Sequence, residues 1–135
     1  MVTVRRISAE DWMPVSELAH GVAFGETRPA CKDRIDFVII AEKCGHPVGY
    51  ITARETDAES VYWQFGGIFG GPLGQMGLLS YLDAINLMRQ SYSRITTLIH
   101  NSNVVMLKLA LKCGFLVTGI KTFEGRTLVE CSLEF

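Results

Sequence analysis

Apolar and polar residues alternate from Val2 to Ile7, which predicts a short, half-buried strand. Ser8 then stands where a helix N-cap belongs, with Glu10 and Asp11 in the turn that follows, so a helix is expected from about Ala9 to His20. Residues 21–34 carry Gly25, Pro29 and mixed charge and read as an irregular segment. An apolar run over Asp36 to Glu42, a Lys43-Cys44-Gly45-His46 turn and a return run over Pro47 to Arg54 predict a hairpin. A second turn, Thr56-Asp57-Ala58-Glu59, leads into an aromatic-rich strand from Ser60 to Gly66. The period then changes. Leu78, Leu79, Leu82, Ile85 and Met88 recur at helical spacing to about Gln90. A strand over Arg94 to His100 and a helix after Asn103 follow. The last two strands run from Phe115 to Phe123 and from Arg126 to Leu133, joined by a Glu124-Gly125 turn.

The expected order is β-α-β-β-β-α-β-α-β-β. A three-strand meander followed by strand–helix alternation predicts an α+β fold, with a mixed, mostly antiparallel sheet flanked by helices. At 135 residues, with no repeat and no linker-like stretch, residues 1–135 are expected to form one domain.

Composition narrows the function classes. Apolar residues make up 48% and charged residues 20%, the balance of a globular chain rather than a disordered one. The 13 basic and 14 acidic residues form no block or tail, so nucleic-acid binding has no electrostatic support. No stretch approaches the roughly 18 consecutive apolar residues of a membrane span, and the N-terminal residues lack a signal-peptide pattern. A cytoplasmic protein is expected. Cys31, Cys44, Cys113 and Cys131 make no CxxC pair and lie near no histidine at zinc-ligand spacing, which predicts reduced thiols and no metal site.

The segment Gly66-Gly67-Ile68-Phe69-Gly70-Gly71-Pro72-Leu73-Gly74-Gln75-Met76-Gly77 holds six glycines between a predicted strand and a predicted helix. The first turn of a helix presents unpaired N–H groups and a partial positive charge, and glycines let backbone close around phosphate oxygens. Pro72 suits a first-turn position, where its missing N–H costs nothing. The segment lacks the Gly-Lys-Ser/Thr ending of a P-loop, and the meander before it is not the βαβ unit of a dinucleotide site. No Lys or Arg occurs between Arg54 and Arg89, so any anion here would rest on backbone. The plainer reading is a tightly packed strand-to-helix connection.

Asn103 to Phe115 reads Asn-Val-Val-Met-Leu-Lys-Leu-Ala-Leu-Lys-Cys-Gly-Phe, an N-cap, a helix and a glycine stop. This arrangement resembles the C-terminal signature of the GCN5-related N-acetyltransferases (GNAT), and the predicted element order resembles that family along nearly the whole chain. The resemblance implies acetyl-CoA as cofactor and an amine on a small molecule or peptide as acceptor. It implies that Ile68 and Phe69 lie along the pantetheine arm. It further implies that Gly70, Gly71, Gly74, Gln75 and Met76 meet the pyrophosphate, with Asn103 beside the arm. It also implies a parting of adjacent strands that exposes a backbone N–H near Ile68. Members of the family often dimerise.

Three departures stand out. The family's phosphate loop has the form Arg/Gln-x-x-Gly-x-Gly/Ala; here Gly71, Gly74 and Met76 occupy those positions, and only Gly74 matches. Many members carry a tyrosine acid seven residues after the asparagine, where this chain has Ala110. The usual strand carboxylate is also missing from Val61-Tyr62-Trp63-Gln64-Phe65. Tyr62, as a proton relay, and His100, as a base near neutrality, are the candidates for chemistry. The plainer readings are packing for Tyr62, a structural strand-end histidine for His100 and a solvated loop carboxylate for Glu26, which could otherwise meet a cationic amine; Gln64 could orient a substrate. Two functions therefore stand side by side: an acyl-CoA-dependent N-acetyltransferase, and a catalytically degenerate relative, of the kind bacteriophages encode, acting in structure or interaction.

Overall fold

In the computed structural model of the protein, residues 2–11, 34–68 and 74–135 are described. The elements are β1 (Val2–Ser8), β2 (Phe37–Lys43), β3 (His46–Glu55), β4 (Ser60–Ile68), α1 (Gly74–Arg89), β5 (Arg94–His100), α2 (Val104–Lys112), β6 (Leu116–Phe123) and β7 (Arg126–Glu134). The strands form one seven-stranded sheet in the order β1-β2-β3-β4-β5-β7-β6. Only β4 and β5 pair in parallel; the other neighbours are antiparallel. That exception follows from the chain path, because β4 returns to β5 through a helical crossover while the other connections are turns or place strands head to tail. The expected α+β architecture is the one observed.

The tight turns are set by local sequence. Cys44 and Gly45 both have positive φ, as do Glu124 and Gly125. Two such residues in succession make the turn whose twist matches paired strands, so each hairpin closes in two residues. At the N-terminus Ser8 Oγ accepts the amide of Asp11 at 3.2 Å, and residues 9–11 are helical, as the expected cap requires. The remainder of that expected helix, and the segment 21–33, lie outside the described residues.

Both helices pack on one face of the sheet. Phe37, Ile39, Ala53, Val61, Trp63, Ile95, Ile99, Val129 and Cys131 rise from it to meet Tyr81, Ala84, Ile85 and Met88 of α1 and Ala110 of α2. The α1 stripe has the spacing i, i+3, i+4, i+7 of a helix buried on one side. Three expectations are corrected here. Helix α1 starts at Gly74 rather than Leu78, and Gly67 and Ile68 extend β4 beyond its expected end at Gly66. Leu79 and Leu82, placed by spacing in the apolar stripe, are exposed; Tyr81 and Ala84 take the core positions. A run of neighbouring apolar residues offers two overlapping stripes, and the aromatic packing of Trp63 against Tyr81 and Phe115 selects one. On the opposite face a smaller cluster holds Val38 and Tyr50, flanked by Ile7 and Ile35.

Candidate functional site

The β4–β5 ladder stops halfway. Its registered pairs are Ser60–Arg94, Val61–Ile95, Tyr62–Thr96 and Trp63–Thr97, and none follows. Yet β4 continues to Ile68, paired with β3, and β5 continues to His100, paired with β7. Beyond Trp63 and Thr97 the two strands therefore part into a fork with two facing, unpaired backbone edges.

The parting has a local cause. On β3, Thr52 pairs with Phe65 and Ala53 with Trp63, so Gln64 is an extra residue. One inserted residue bends its strand and increases its twist. The last rung is pinned by a buried bond, in which the Thr97 hydroxyl donates to the Trp63 carbonyl at 3.1 Å. Gln64 Nε2 donates to the Arg34 carbonyl at 2.9 Å. That bond fixes the amide's orientation, and it leaves Gln64 Oε1 buried with no partner.

A helix follows each arm of the fork. Five residues, 69 to 73, separate β4 from α1, and three, Asn101 to Asn103, separate β5 from α2. The first turn of α1 holds no acidic residue to oppose the partial positive charge of the helix end. In α2, Asn103 is the N-cap, and its side chain accepts the amide of Met106 at 3.2 Å.

Solved structures share this fold. An IAA acetyltransferase from Bacillus cereus is 21% identical over 100% of both chains, with a TM-score of 0.74. An aminoglycoside acetyltransferase in complex with coenzyme A is 18% identical over 99% of this chain and 95% of that one, with a TM-score of 0.75. A GNAT family acetyltransferase from Elizabethkingia anophelis with acetyl-CoA bound is 14% identical over 99% and 98%, with a TM-score of 0.68. The fold is that of the GCN5-related N-acetyltransferases. No family model matches the sequence, and no curated protein matches it.

Within this GNAT fold the expected site residues spread over three places. Ile68 ends β4 on the fork's edge, and Gly74, Gln75 and Met76 supply the first turn of α1. Asn103 stands at the head of α2. Phe69, Gly70, Gly71 and Pro72 lie outside the described residues, as does Glu26.

Tyr62 and His100 are not brought together. Tyr62 lies one residue before the last rung, half-buried, with the Arg54 guanidinium 5.5 Å from its ring. His100 is four residues along β5 from Thr96, the Cα partner of Tyr62. At about 3.3 Å per residue, roughly 13 Å of strand separates them. The ring of His100 is also committed. Its Nδ1 accepts the Ser102 amide at 3.1 Å and lies 2.6 Å from Ser102 Oγ. An accepting Nδ1 leaves Nε2 as the ring's N–H donor.

The neighbours of Asn103 in sequence are otherwise engaged. Ala110 is fully buried and cannot move a proton. Tyr81 is packed in the core, where burial raises its pKa, and the Tyr92 hydroxyl donates to Glu55 Oε1 at 2.5 Å. Cys44, Cys113 and Cys131 are free thiols, and burial raises the pKa of the latter two. In the smaller cluster, burial pushes the Tyr50 hydroxyl up to about 12, so it stays protonated at neutral pH. Among the described residues there is no cluster of metal-ligating side chains, and no helix is long and apolar enough to cross a membrane.

Sequence reading missed Thr97 and the insertion at Gln64. A threonine at strand spacing carries no mark of the bond it makes, and a bulge is a property of the partner strand's register as much as of its own residues.

Proposed function

We propose that the protein binds acetyl-CoA in the β4–β5 fork and transfers the acetyl group to a primary amine of a small molecule or peptide. The observation that carries this reading is the loss of pairing beyond Trp63 and Thr97. Two facing strand edges with unpaired N–H and C=O groups suit an extended chain bearing amides, which can hydrogen-bond to strand edges as another strand does. The pantetheine arm is such a chain. Helix α1, with no acidic residue in its first turn, offers its backbone amides to the pyrophosphate. Acetyl-CoA supplies an activated acyl carbonyl when bound.

The chain's own groups divide the remaining work. Gln64 Oε1, buried and unpaired, accepts an N–H of the incoming amine at the base of the fork. Tyr62, next to that base, relays the amine's proton to solvent, and with Ala110 in place of an acid, water returns a proton to the released CoA thiolate. His100, at the end of β5, offers its Nε2–H to the cofactor's polar groups. The protein works in the cytoplasm, with reduced thiols.

A second reading, a degenerate interaction protein, draws support from Ala110 and from the absence of any carboxylate in β4. Isothermal titration of acetyl-CoA into the protein, with desulfo-CoA and ADP as controls, separates the two. Saturable one-to-one binding at micromolar affinity supports the enzyme and opens an amine screen. Absence of heat and of thermal stabilisation, from folded protein, removes it.

A further inference from the structure

Arg54 is a half-buried cation without a carboxylate partner among the described residues. It is the Cα partner of Tyr62 across the β3–β4 ladder. The residues next to this pair, Ala53, Val61 and Trp63, belong to the core packed under the two helices, so Arg54 and Tyr62 stand on the sheet's other face. The Arg54 guanidinium lies 5.5 Å from the centre of the Tyr62 ring. By contrast, Arg5 pairs with Glu42, Arg34 with Asp36 and Arg94 with Glu134.

The acids nearest in the fold are committed elsewhere. Asp36 holds Arg34 and accepts the Glu55 amide at 2.8 Å, while Glu55 accepts the Tyr92 hydroxyl. Neither β4 nor β5 contains a carboxylate. The charge of Arg54 is therefore uncompensated beside the base of the fork, where Tyr62 stands one residue before the last rung and Gln64 one residue after it. A guanidinium stacked on a ring keeps its planar set of donors available for a carboxylate. Partly withdrawn from water, it also attracts an anion more strongly than an exposed cation does.

Gln64 supplies the complementary atom, since its Oε1 is a buried acceptor with no partner. Two residues of strand, roughly 7 Å at about 3.3 Å per residue, separate Tyr62 from Gln64. With a hydrogen bond of about 2.9 Å at each end, a small molecule carrying both an amine and a carboxylate spans that gap.

We propose that Arg54 sets the acceptor class, binding the carboxylate of an amino acid whose amine is the nucleophile at Gln64. This inference rests on the acetyl-transfer reading above. The nitrogen forms an amide bond as the thioester C–S bond breaks. Of the two protons the ammonium gives up, one goes to solvent and the other, through water, to the departing thiolate. The carboxylate stays on Arg54 throughout. A diamine would bring a second cation to Arg54, and like charge there disfavours it.

The test uses the full chain as wild type, Arg54→Gln and Arg54→Lys. Acetyl-CoA is titrated first, and all three should bind it alike, because Arg54 serves the acceptor. Release of CoA thiol is then followed with the free L-amino acids, with the carboxamide of each one that reacts, and with putrescine. Wild type should acetylate at least one amino acid. Its carboxamide should show a KM raised roughly ten- to hundred-fold, as the loss of one hydrogen bond between charged groups predicts, at similar kcat. Arg54→Gln should erase this difference by raising KM for the acid alone, and Arg54→Lys should keep part of it. If Arg54→Gln misfolds, Arg54→Lys and the acid–amide comparison in wild type decide. Folded wild type that binds no acetyl-CoA removes the transfer reading and this inference together. Acetyl-CoA binding with no amino acid acetylated, with putrescine preferred, or with equal KM for acid and amide overturns the role of Arg54 and leaves the transfer reading standing. An acid–amide difference that persists in Arg54→Gln overturns it too.

Discussion

The Thr97 hydroxyl donates to the Trp63 carbonyl across 3.1 Å in the buried sheet, at the rung where the parallel ladder ends. This bond ties β5 to β4 just before they diverge, so it sets where the fork begins. Replacing Thr97 by Val keeps the shape and removes the donor. The variant should lose about 1 kcal/mol of stability, the usual net worth of one buried hydrogen bond. Its fork is also no longer held at a fixed rung, so acetyl-CoA affinity should fall by more than a distant substitution of equal stability cost produces. Denaturant unfolding paired with calorimetry reads both quantities.

His100 can be tested without disturbing the turn it stabilises. The Ser102 amide donates to Nδ1, and an asparagine oxygen can take the same bond. His100→Asn should therefore keep its melting temperature while losing the ring's Nε2–H. If that hydrogen meets the cofactor, the affinity for acetyl-CoA drops several-fold in His100→Asn. His100→Ala should lose affinity and stability together. Equal binding by Asn and wild type would reduce His100 to a structural residue.

The strands and helices were legible because local pattern and tertiary context agree. The alternation at Val2 to Ile7, the positive-φ turns at Gly45 and Gly125, and the Asn103 cap each have a local physical cause. The fork was not legible in the same way. Its position depends on an unequal residue count between Ala53–Thr52 and Trp63–Phe65, two segments whose separate sequences give no sign of it. The glycine segment misled for a related reason. Gly67 and Ile68 look like loop, yet they lie in β4 because β3 pairs with them through Tyr50 and Gly49. Nor does helical spacing distinguish Leu82 from Tyr81 as the core residue, since packing against Trp63 decides it.

Glu130 links edge strand β6 to pH. Its carboxylate accepts bonds from Lys121 at 3.1 Å and from Thr118 Oγ1 at 2.9 Å, and the first of these, then the second, lowers its pKa. A lowered folded-state pKa means that the stabilisation is present above the ordinary carboxylate range. It is lost as pH falls through the folded value. Thermal stability should therefore decline on acidification more steeply in wild type than in Glu130→Gln, with the two curves converging at the acid end. Parallel curves would show that the pair contributes nothing to stability.

Gly66 and Gly119 give opposite expectations from the same substitution. A Cβ at Gly66 would sit 3.1 Å from the Tyr50 carbonyl oxygen and 3.3 Å from Ile51 Cγ1. The oxygen belongs to the backbone of a paired strand and cannot swing aside, so β4 itself must shift. The cost should be about 1–3 kcal/mol, as for overpacking a core. The shift carries β4 away from β3, into the fork, so acetyl-CoA affinity should fall as well. At Gly119 the nearest atoms are Glu130 Oε1 at 3.8 Å and Glu130 Cβ at 4.0 Å, an ordinary contact distance. Gly119→Ala should be neutral or stabilising by up to about 1 kcal/mol through the unfolded chain's lost freedom. Chemical denaturation of both variants, with acetyl-CoA titration of the folded proteins, checks the contrast. Equal stability of Gly66→Ala and wild type would mean that β3 and β4 can separate there at no cost, and the close approach would lose its role in setting the fork's width.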